Sequence, residues 1–445
     1  MAASSILMLV QIVYVAHRHS ATRNAFRLHS LEMAAPLIKA PAAAGEVAET
    51  PGVREVLRWF TREKQWVNEI HLQLCRIPSP TFLEQERALW FASQLRSMGW
   101  HVTMDRAGNV LASLESHPDS PLVALTAHLD TVLAPRTKDD ITVDSDGAML
   151  GPGVSDNGTG LAALLAIAKA IKSTSQPADI WNRLLLIANV GEEGEGNLAG
   201  MRYICGQRER IESIAAFLVL DGAAIDHITT QALGSRRFEV TFTGNGGHSW
   251  SDFGTGNPVH ALSRALSFFI DQNPLDPRAT PKVSVNIGLI EGGVSINSIP
   301  ASARAKIDVR SESNDKMDHL VAALQYSVTR AEEIENHGCT GAKVVSRVRE
   351  IGSRPAARLA PDAAILPIIR SVDAHLGIRS RLECASTDAN IPLSLGIPAV
   401  SIGAGGKGGG AHTAAEWYRP DGRDLGLKRV LLSAALLLED CGRTV

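Results

Sequence analysis

The sequence predicts an α/β protein: a mostly parallel sheet with helices on both faces, into which a smaller α+β domain is inserted. Three observations carry that expectation. Short runs rich in Val, Ile and Leu, among them LVALTA, LLLIANV, AAFLVL and IPAVSIGAGG, are bounded by Gly or by charge, as buried parallel strands are. Helical patterns alternate with them, the most apolar running from about Gly160 to Lys172. Near Gly234 the character changes to strands with period-two alternation, in the β-α-β-β-α-β order of a split βαβ or ferredoxin-like unit.

Taken along the chain, a helical pattern starts at Val53 and runs through LRWFTREKQWVNEIHLQLC. A second covers about Leu83 to Met98, after the punctuation of Pro78 and Pro80. HVTMDRAGNVLASL reads as two strands turning at Ala107-Gly108-Asn109. The strand from Leu122 to Ala127 leads into the Gly-rich loop GPGVSDNGTG and the apolar helix, and strand and helix alternate to Asp221. In the insertion, RRFEVTFTG, KVSVNIGLIEGG, SARAKIDVRSE and AKVVSRVREI supply strands, while Asn257 to Asp271 and Asn314 to Asn336 supply helices. After Pro355 the alternation resumes and ends in a helix from Leu425 to Leu438. The expected organisation is an N-terminal extension of residues 1–52, a discontinuous first domain of 53–233 and 351–445, and an inserted domain of 234–350.

Composition narrows the functional classes. At 445 residues the chain exceeds the size at which one core stops growing, so two domains are expected. A net charge of −3 with both signs interspersed offers no electrostatic footprint for nucleic acid, which points to small-molecule partners. Cys75, Cys205, Cys339, Cys384 and Cys441 are widely spaced and odd in number, which suits free thiols in a reducing compartment and predicts a cytoplasmic protein. Ile6 to Ala16 is apolar but too short to form a stable membrane span. It has the length of a signal-peptide core, without a basic region before it or a clear cleavage site after it. A true start at Met33 or a disordered extension accounts for it, with secretion as the alternative, and residues 34–52 are expected to be a mobile lead-in.

The strand-like runs each end in a side chain able to bind metal. LVALTA leads to His128 and Asp130, LLLIANV to Glu192 and Glu193, AAFLVL to Asp221, and IPAVSIGAGG precedes His412. In open α/β sheets the ligand crevice lies beyond the carboxyl ends of the strands, where such groups converge although they are distant in sequence. Each has a plainer reading when taken singly. His128 alone reads as a structural histidine, with Asp130 either a partner that fixes its tautomer or a bystander. Asp156, in GPGVSDNGTG, reads as a helix N-cap or as a ligand beside glycines that allow an ion to approach the backbone. Glu192 and Glu193, with Glu195 close by, read as a solvated loop or as two carboxylates that need a cation or a proton between them. Adjacent carboxylates also allow one to bind metal while the other serves as a general base. Two histidines with several carboxylates form a donor set suited to zinc, with cobalt or manganese possible, in a two-metal hydrolase site.

AHLDT, GPGVSDNGTG, GEEGEG, LDG, GGHSW, GGVSINSIP and AHTAAEW, in this order, resemble the motif series of metallopeptidase family twenty, the group of carboxypeptidase G, peptidase T, aminoacylase and acetylornithine deacetylase. The ending of Gly-rich loop, His-Thr and Glu-Trp is most similar to peptidase-T-like members. The resemblance implies two zinc ions: His128 and Asp221 on one, Glu193 and His412 on the other, and Asp156 bridging both. It implies Glu192 as general base and Asp130 as its orienting companion. It also implies His248 as a residue that crosses a dimer interface to polarise the scissile carbonyl, and Asn297 and Arg310 as substrate-binding positions. A strand-face ion pair is the competing reading of Arg310. The implied protein is a homodimer, joined through the inserted domain, that cleaves di- or tripeptides. An N-acyl amino acid deacylase, differing in the 386–390 segment and around Arg310, is the alternative. A non-catalytic metal-binding protein is more remote, because neither Glu192 nor any ligand is missing. Two departures, no proline after AHLDTV and HTAAE in place of a His-Gly start, bear on subfamily and pocket shape.

Overall fold

A computed structural model describes residues 44–442 apart from 117, 119, 120, 176 and 177. The expectations for Ile6 to Ala16, for Met33 and for the 34–43 part of the lead-in lie outside the described residues. Among the described residues the main sheet has nine strands. At its centre Leu184–Asn189, Leu122–His128, Ile214–Leu220 and Ala399–Ile402 lie side by side and parallel. His101–Met104 and Val110–Ser113 add an antiparallel edge on one side. On the other side His227–Ala232 joins, meeting Ala399–Ile402 and Ala357–Arg358 antiparallel and Arg381–Ala385 parallel. The sheet is therefore mixed, with the expected parallel pattern in its four central strands and again in the pair of His227–Ala232 with Arg381–Ala385. Those central strands are continuous apolar runs because both faces are covered: every residue of Leu122–His128 and of Leu184–Asn189 is buried. Register sets His128 level with Asn189, so the two strands end together and release their loops from the same edge.

Helix Gly158–Lys172 packs in the core with almost all its residues buried, as its uniform hydrophobicity requires. Its N-cap is Asn157, whose side chain accepts the Gly160 N–H, so Asp156 is released from the capping role that competed for it. The terminal helix Arg423–Gly442 is joined to helix Ile365–Leu376 by a buried bidentate pair, Arg429 Nε to Asp373 Oδ1 at 2.6 Å and Nη2 to Oδ2 at 2.8 Å. Pairs of this geometry carry directional as well as electrostatic specificity.

A second, four-stranded sheet has its own apolar core and is antiparallel throughout, in the spatial order Val283–Gly292, Ser302–Ser311, Gly234–Thr243, Val345–Arg354. Helices Pro258–Gln272 and Asn314–His337 cover one face, and burial alternates along Ser302–Ser311 as a half-covered sheet demands. Phe238, Phe242, Leu262, Phe269, Leu320 and Leu324 fill the space between sheet and helices. This is the β-α-β-β-α-β unit that the period-two strands predicted.

Two expectations are corrected. The helical pattern from Val53 is two helices, Pro51–Arg62 and Lys64–Cys75, separated at Glu63. Residues 44–52 are not a mobile lead-in, because Ala44–Glu49 is a helix that packs on the terminal helix and on Ile365–Leu376. Ala44, Val47 and Ala48 lie at i, i+3 and i+4 and make one buried stripe, a periodicity that overall composition hides. Val47 is 3% exposed, so Val47→Asp should lower stability by about 2 kcal/mol or more in urea unfolding; an unchanged midpoint would mean that the short helix is not docked.

Candidate metal centre

Five of the sequence-derived ligands meet at the carboxyl edge of the central strands. His128 closes strand Leu122–His128, Glu193 follows Leu184–Asn189, Asp221 follows Ile214–Leu220, and Asp156 precedes helix Gly158–Lys172. His412 arrives on the connection between the paired short strands Lys407–Gly409 and Trp417–Arg419, which follow Ala399–Ile402. The Asp156 carboxylate stands between the two imidazoles: Oδ1 is 3.1 Å from His128 Nε2 and Oδ2 is 3.2 Å from His412 Nε2. Glu193 Oε1 is 3.0 Å from His412 Nε2, and Asp221 Oδ1 is 3.9 Å from His128 Nε2. Ligand atoms of His128, Asp156 and Glu193 all lie within 4.8 Å of one another. His128 is buried while half of the His412 side chain is exposed, so the cluster has a closed side and an open one. The His412 backbone takes φ 64°, a left-handed value rare outside glycine, of the kind that accumulates at functional sites.

Charge is crowded here. Burial would depress the His128 imidazolium, but the Asp130 and Asp156 carboxylates outweigh it and hold its pKa well above the ordinary value. Hydrogen bonds to Asp156 and Glu193 lift His412 to about 10. Asp221 is pushed up to about 7, by burial first and by the Asp156 carboxylate second. Burial opposes ionisation of Asp156, yet its bonds to both histidines hold it well below the usual carboxylate range. Such a set is at rest only with protons on both rings or with cations between the rings and the carboxylates. The mixture of imidazole nitrogen and carboxylate oxygen fits a borderline divalent ion.

Three surrounding groups fix the cluster. Asp130 is fully buried and its carboxylate accepts the main-chain N–H of Glu192 on Oδ1 and of Glu193 on Oδ2, each at 2.9 Å. Thr81 Oγ1 donates to Oδ2 as well, at 2.9 Å. His128 Nδ1 meets the Asp130 main-chain oxygen at 2.9 Å, which leaves Nε2 for the cluster. Glu416, missed in the sequence although it lies in AHTAAEW, accepts N–H groups from Gly153, Ser155 and Asp156 at 2.7, 2.7 and 2.8 Å. It thereby ties the His412 loop to the Asp156 loop. Asn157 donates to the Leu220 carbonyl at 2.8 Å and so sets Asp156 beside Asp221. The glycines of this loop make room for protein and not for an ion. A Cβ on Gly158 would lie 2.5 Å from Cys75 Sγ, and one on Gly160 would lie 2.8 Å from the Leu220 oxygen.

Glu192 is buried beside the cluster, and its carboxylate is paired with Arg354 at 2.9 Å. Burial raises its pKa well above the ordinary range for a glutamate, with Arg354 opposing. Arg354 carried no legible signal, since an arginine before a proline at a strand end looks like any exposed one. Asp388, within the 386–390 segment suspected of shaping the pocket, is fully buried and bonded to Asn189 at 2.7 Å. The remaining three candidates lie on the four-stranded-sheet unit. His248 and Asn297 are exposed neighbours: His248 pairs with Ser298 across a short two-stranded ribbon, and the Ser249 N–H bonds the Asn297 oxygen at 3.0 Å. Arg310 forms an ion pair with Asp308 at 2.6 Å on a strand face. Among the described residues no hydrogen bond or ion pair links these three to the metal cluster.

Fold and donor set define an α/β protein with a histidine-carboxylate cluster, able to hold a metal ion, at the carboxyl edge of its sheet. Residues 231–333 match the family model of the M20 peptidase dimerisation domain, and residues 109–248 match that of peptidase family M28. The chain is 28% identical over 289 residues to the cytosol non-specific dipeptidase of Escherichia coli, covering 58% of this chain and 56% of that protein. It is 29% identical over 219 residues to a peptidase M20 domain-containing protein of Sordaria macrospora, covering 45% and 47%. The matched stretches thus span about half the length of these curated relatives. Among solved structures, aminopeptidase PepT of Bacillus cereus shares the fold with a TM-score of 0.67 at 20% identity, over 84% of this chain and 99% of that one. In its inserted domain and in the stretches shared with these relatives the chain is similar to M20 peptidases.

Glu416→Gln replaces one of two acceptor oxygens by an NH2 group, which must then face either the Gly153 N–H or those of Ser155 and Asp156. The expected result is metal affinity reduced roughly 10- to 100-fold with the fold retained, read by competition with a chelating indicator. Wild-type affinity would show that Glu416 does not hold the Asp156 loop.

Proposed function

We propose that this chain is a dinuclear metallopeptidase that hydrolyses di- or tripeptides, with Glu192 as general base. The observation that carries the reading is one carboxylate, Asp156, shared between His128 and His412 through its two oxygens. His128 and Asp221 would hold one divalent ion, His412 and Glu193 the other, and Asp156 both, with zinc best suited to the donors. When bound, such ions lower the pKa of water to about 7 and polarise an amide oxygen. The buried Glu192, whose carboxyl burial holds well above its ordinary range, takes the proton of the attacking water and returns it to the leaving amine. Asp130 keeps the Glu192-Glu193 main chain in place while this happens.

In this reading residues 44–233 and 355–442 are the catalytic domain and 234–354 a lid and dimerisation domain, the expected boundaries at 53 and 350 being moved by the docked helix Ala44–Glu49 and by strand Val345–Arg354. Support comes from the separate core of the four-stranded sheet and from the family match over 231–333. His248 and Asn297 then complete the site of the partner subunit, and Arg310 grips a substrate carboxylate once released from Asp308. A reducing, cytoplasmic setting is supported by the five unpaired cysteines and by the likeness to a cytosol dipeptidase. No helix among the described residues is long and apolar enough to cross a membrane.

Glu192→Gln should bind metal normally and lose roughly 10²- to 10⁴-fold in kcat on the best substrate of a panel of dipeptides, tripeptides and N-acyl amino acids. Chelation should abolish hydrolysis, and zinc, cobalt or manganese should restore it. Hydrolysis that resists a chelator would sink the proposal, and preference for acyl amino acids would turn it into a deacylase. If His248 acts across the dimer, mixing Glu192→Gln with His248→Ala after subunit exchange should restore activity absent from either alone, because one composite site then contains both residues. No recovery in a mixture shown to exchange would place His248 in its own subunit's site or outside the reaction.

A further inference from the structure

Arg354 is the last residue of strand Val345–Arg354 in the four-stranded sheet, yet its side chain is buried in the loop that carries Glu192. Its guanidinium clamps that residue at two points. Nη1 lies 2.9 Å from Glu192 Oε1 and Nη2 donates to the Glu192 main-chain oxygen, while Asp130 holds the Glu192 N–H. Nη1 also donates to Ser386 Oγ at 3.1 Å. A planar fork gripping main chain and side chain of one residue restricts its rotamers far more than a single ion pair would. Oε1 is thereby occupied, and Oε2 has no hydrogen bond among the described residues.

The surroundings tie this clamp to the four-stranded sheet. Ser353 N–H bonds Asn197 Oδ1 at 2.9 Å, Arg202 donates to the Ser353 oxygen, and Arg237 donates to the Gly194 oxygen. Lys306 Nζ is 3.1 Å from Glu195 Oε1. The loop after Glu192 is thus held by that sheet at several points. Stability alone gives no reason for a buried ion pair at this place, because such pairs roughly break even against apolar packing.

We propose that Arg354 is the positioning residue of Glu192: it fixes the carboxylate through Oε1, leaves Oε2 for proton transfer, and makes the placement of the base depend on the docking of the four-stranded sheet. The proposal rests on the reading of Glu192 as general base. In the zinc-loaded full chain, Arg354→Ala should lower kcat on a tripeptide substrate roughly 10- to 100-fold, with KM changed by less than about twofold and zinc content unchanged. Millimolar guanidinium should recover part of kcat saturably in this variant and have no effect on the wild type. Arg354→Lys, which keeps the charge but loses the fork, should fall between the two, and it alone decides the matter if the alanine variant does not fold. Wild-type kcat in the variants overturns the proposal, as does a joint loss of zinc and kcat that guanidinium does not recover. Turnover retained by Glu192→Gln would overturn the general-base reading itself, whatever the Arg354 variants do.

Discussion

The carboxylate of Asp130 takes the N–H groups of Glu192 and Glu193 while its own main-chain oxygen receives the ring of His128. Two neighbouring strands, Leu122–His128 and Leu184–Asn189, end level with each other, and without such a link their loops could leave the sheet in many directions. One buried anion with its lone pairs filled by main-chain donors removes that freedom. Burial opposes its ionisation, but the hydrogen bond with His128 and the two N–H groups prevail and keep its pKa below the ordinary carboxylate value. The candidate ligands His128 and Glu193 and the proposed base Glu192 all inherit their positions from this group.

Around it the centre is organised as an excess of negative charge with few protons. Asp156 and Glu193 lean on His412, and Asp156 and Asp221 on His128, so removing any one member leaves a buried charge poorly compensated. Glu416 adds another carboxylate close by, satisfied wholly by main-chain N–H groups of the Asp156 loop, which makes it a brace and not a ligand. The proposed base differs from all of these. Its carboxylate is balanced first by Arg354, a cation from the other sheet, and only after that by His128.

Much of this was legible in the sequence. Of the candidate ligands, His128, Glu193 and Asp221 stand where apolar strand runs break off and His412 lies some way beyond a fourth, while Asp156 sits in a Gly-rich loop before the most apolar helix; burial on both faces gives such runs a signature that survives without tertiary information. The β-α-β-β-α-β insertion was equally clear, because a sheet covered on one face alternates with period two. Glu416 could have been found from its place beside His412. The docked helix Ala44–Glu49 was lost because Ala-rich composition outweighed a stripe only three residues long. The break at Glu63 was lost because both helices continue one helical pattern.

What the sequence by itself determined is the set of elements and the chemical kind of the donors, since periodicity and residue type are local properties. Only the tertiary structure decided which donors share a partner. Asn157 and not Asp156 caps the helix, the glycines serve close backbone packing, and Arg354 reaches Glu192 across 162 positions of chain. Those pairings follow from strand register and from the meeting of two sheets, and a guanidinium finds a buried carboxylate only after the fold has brought both out of water.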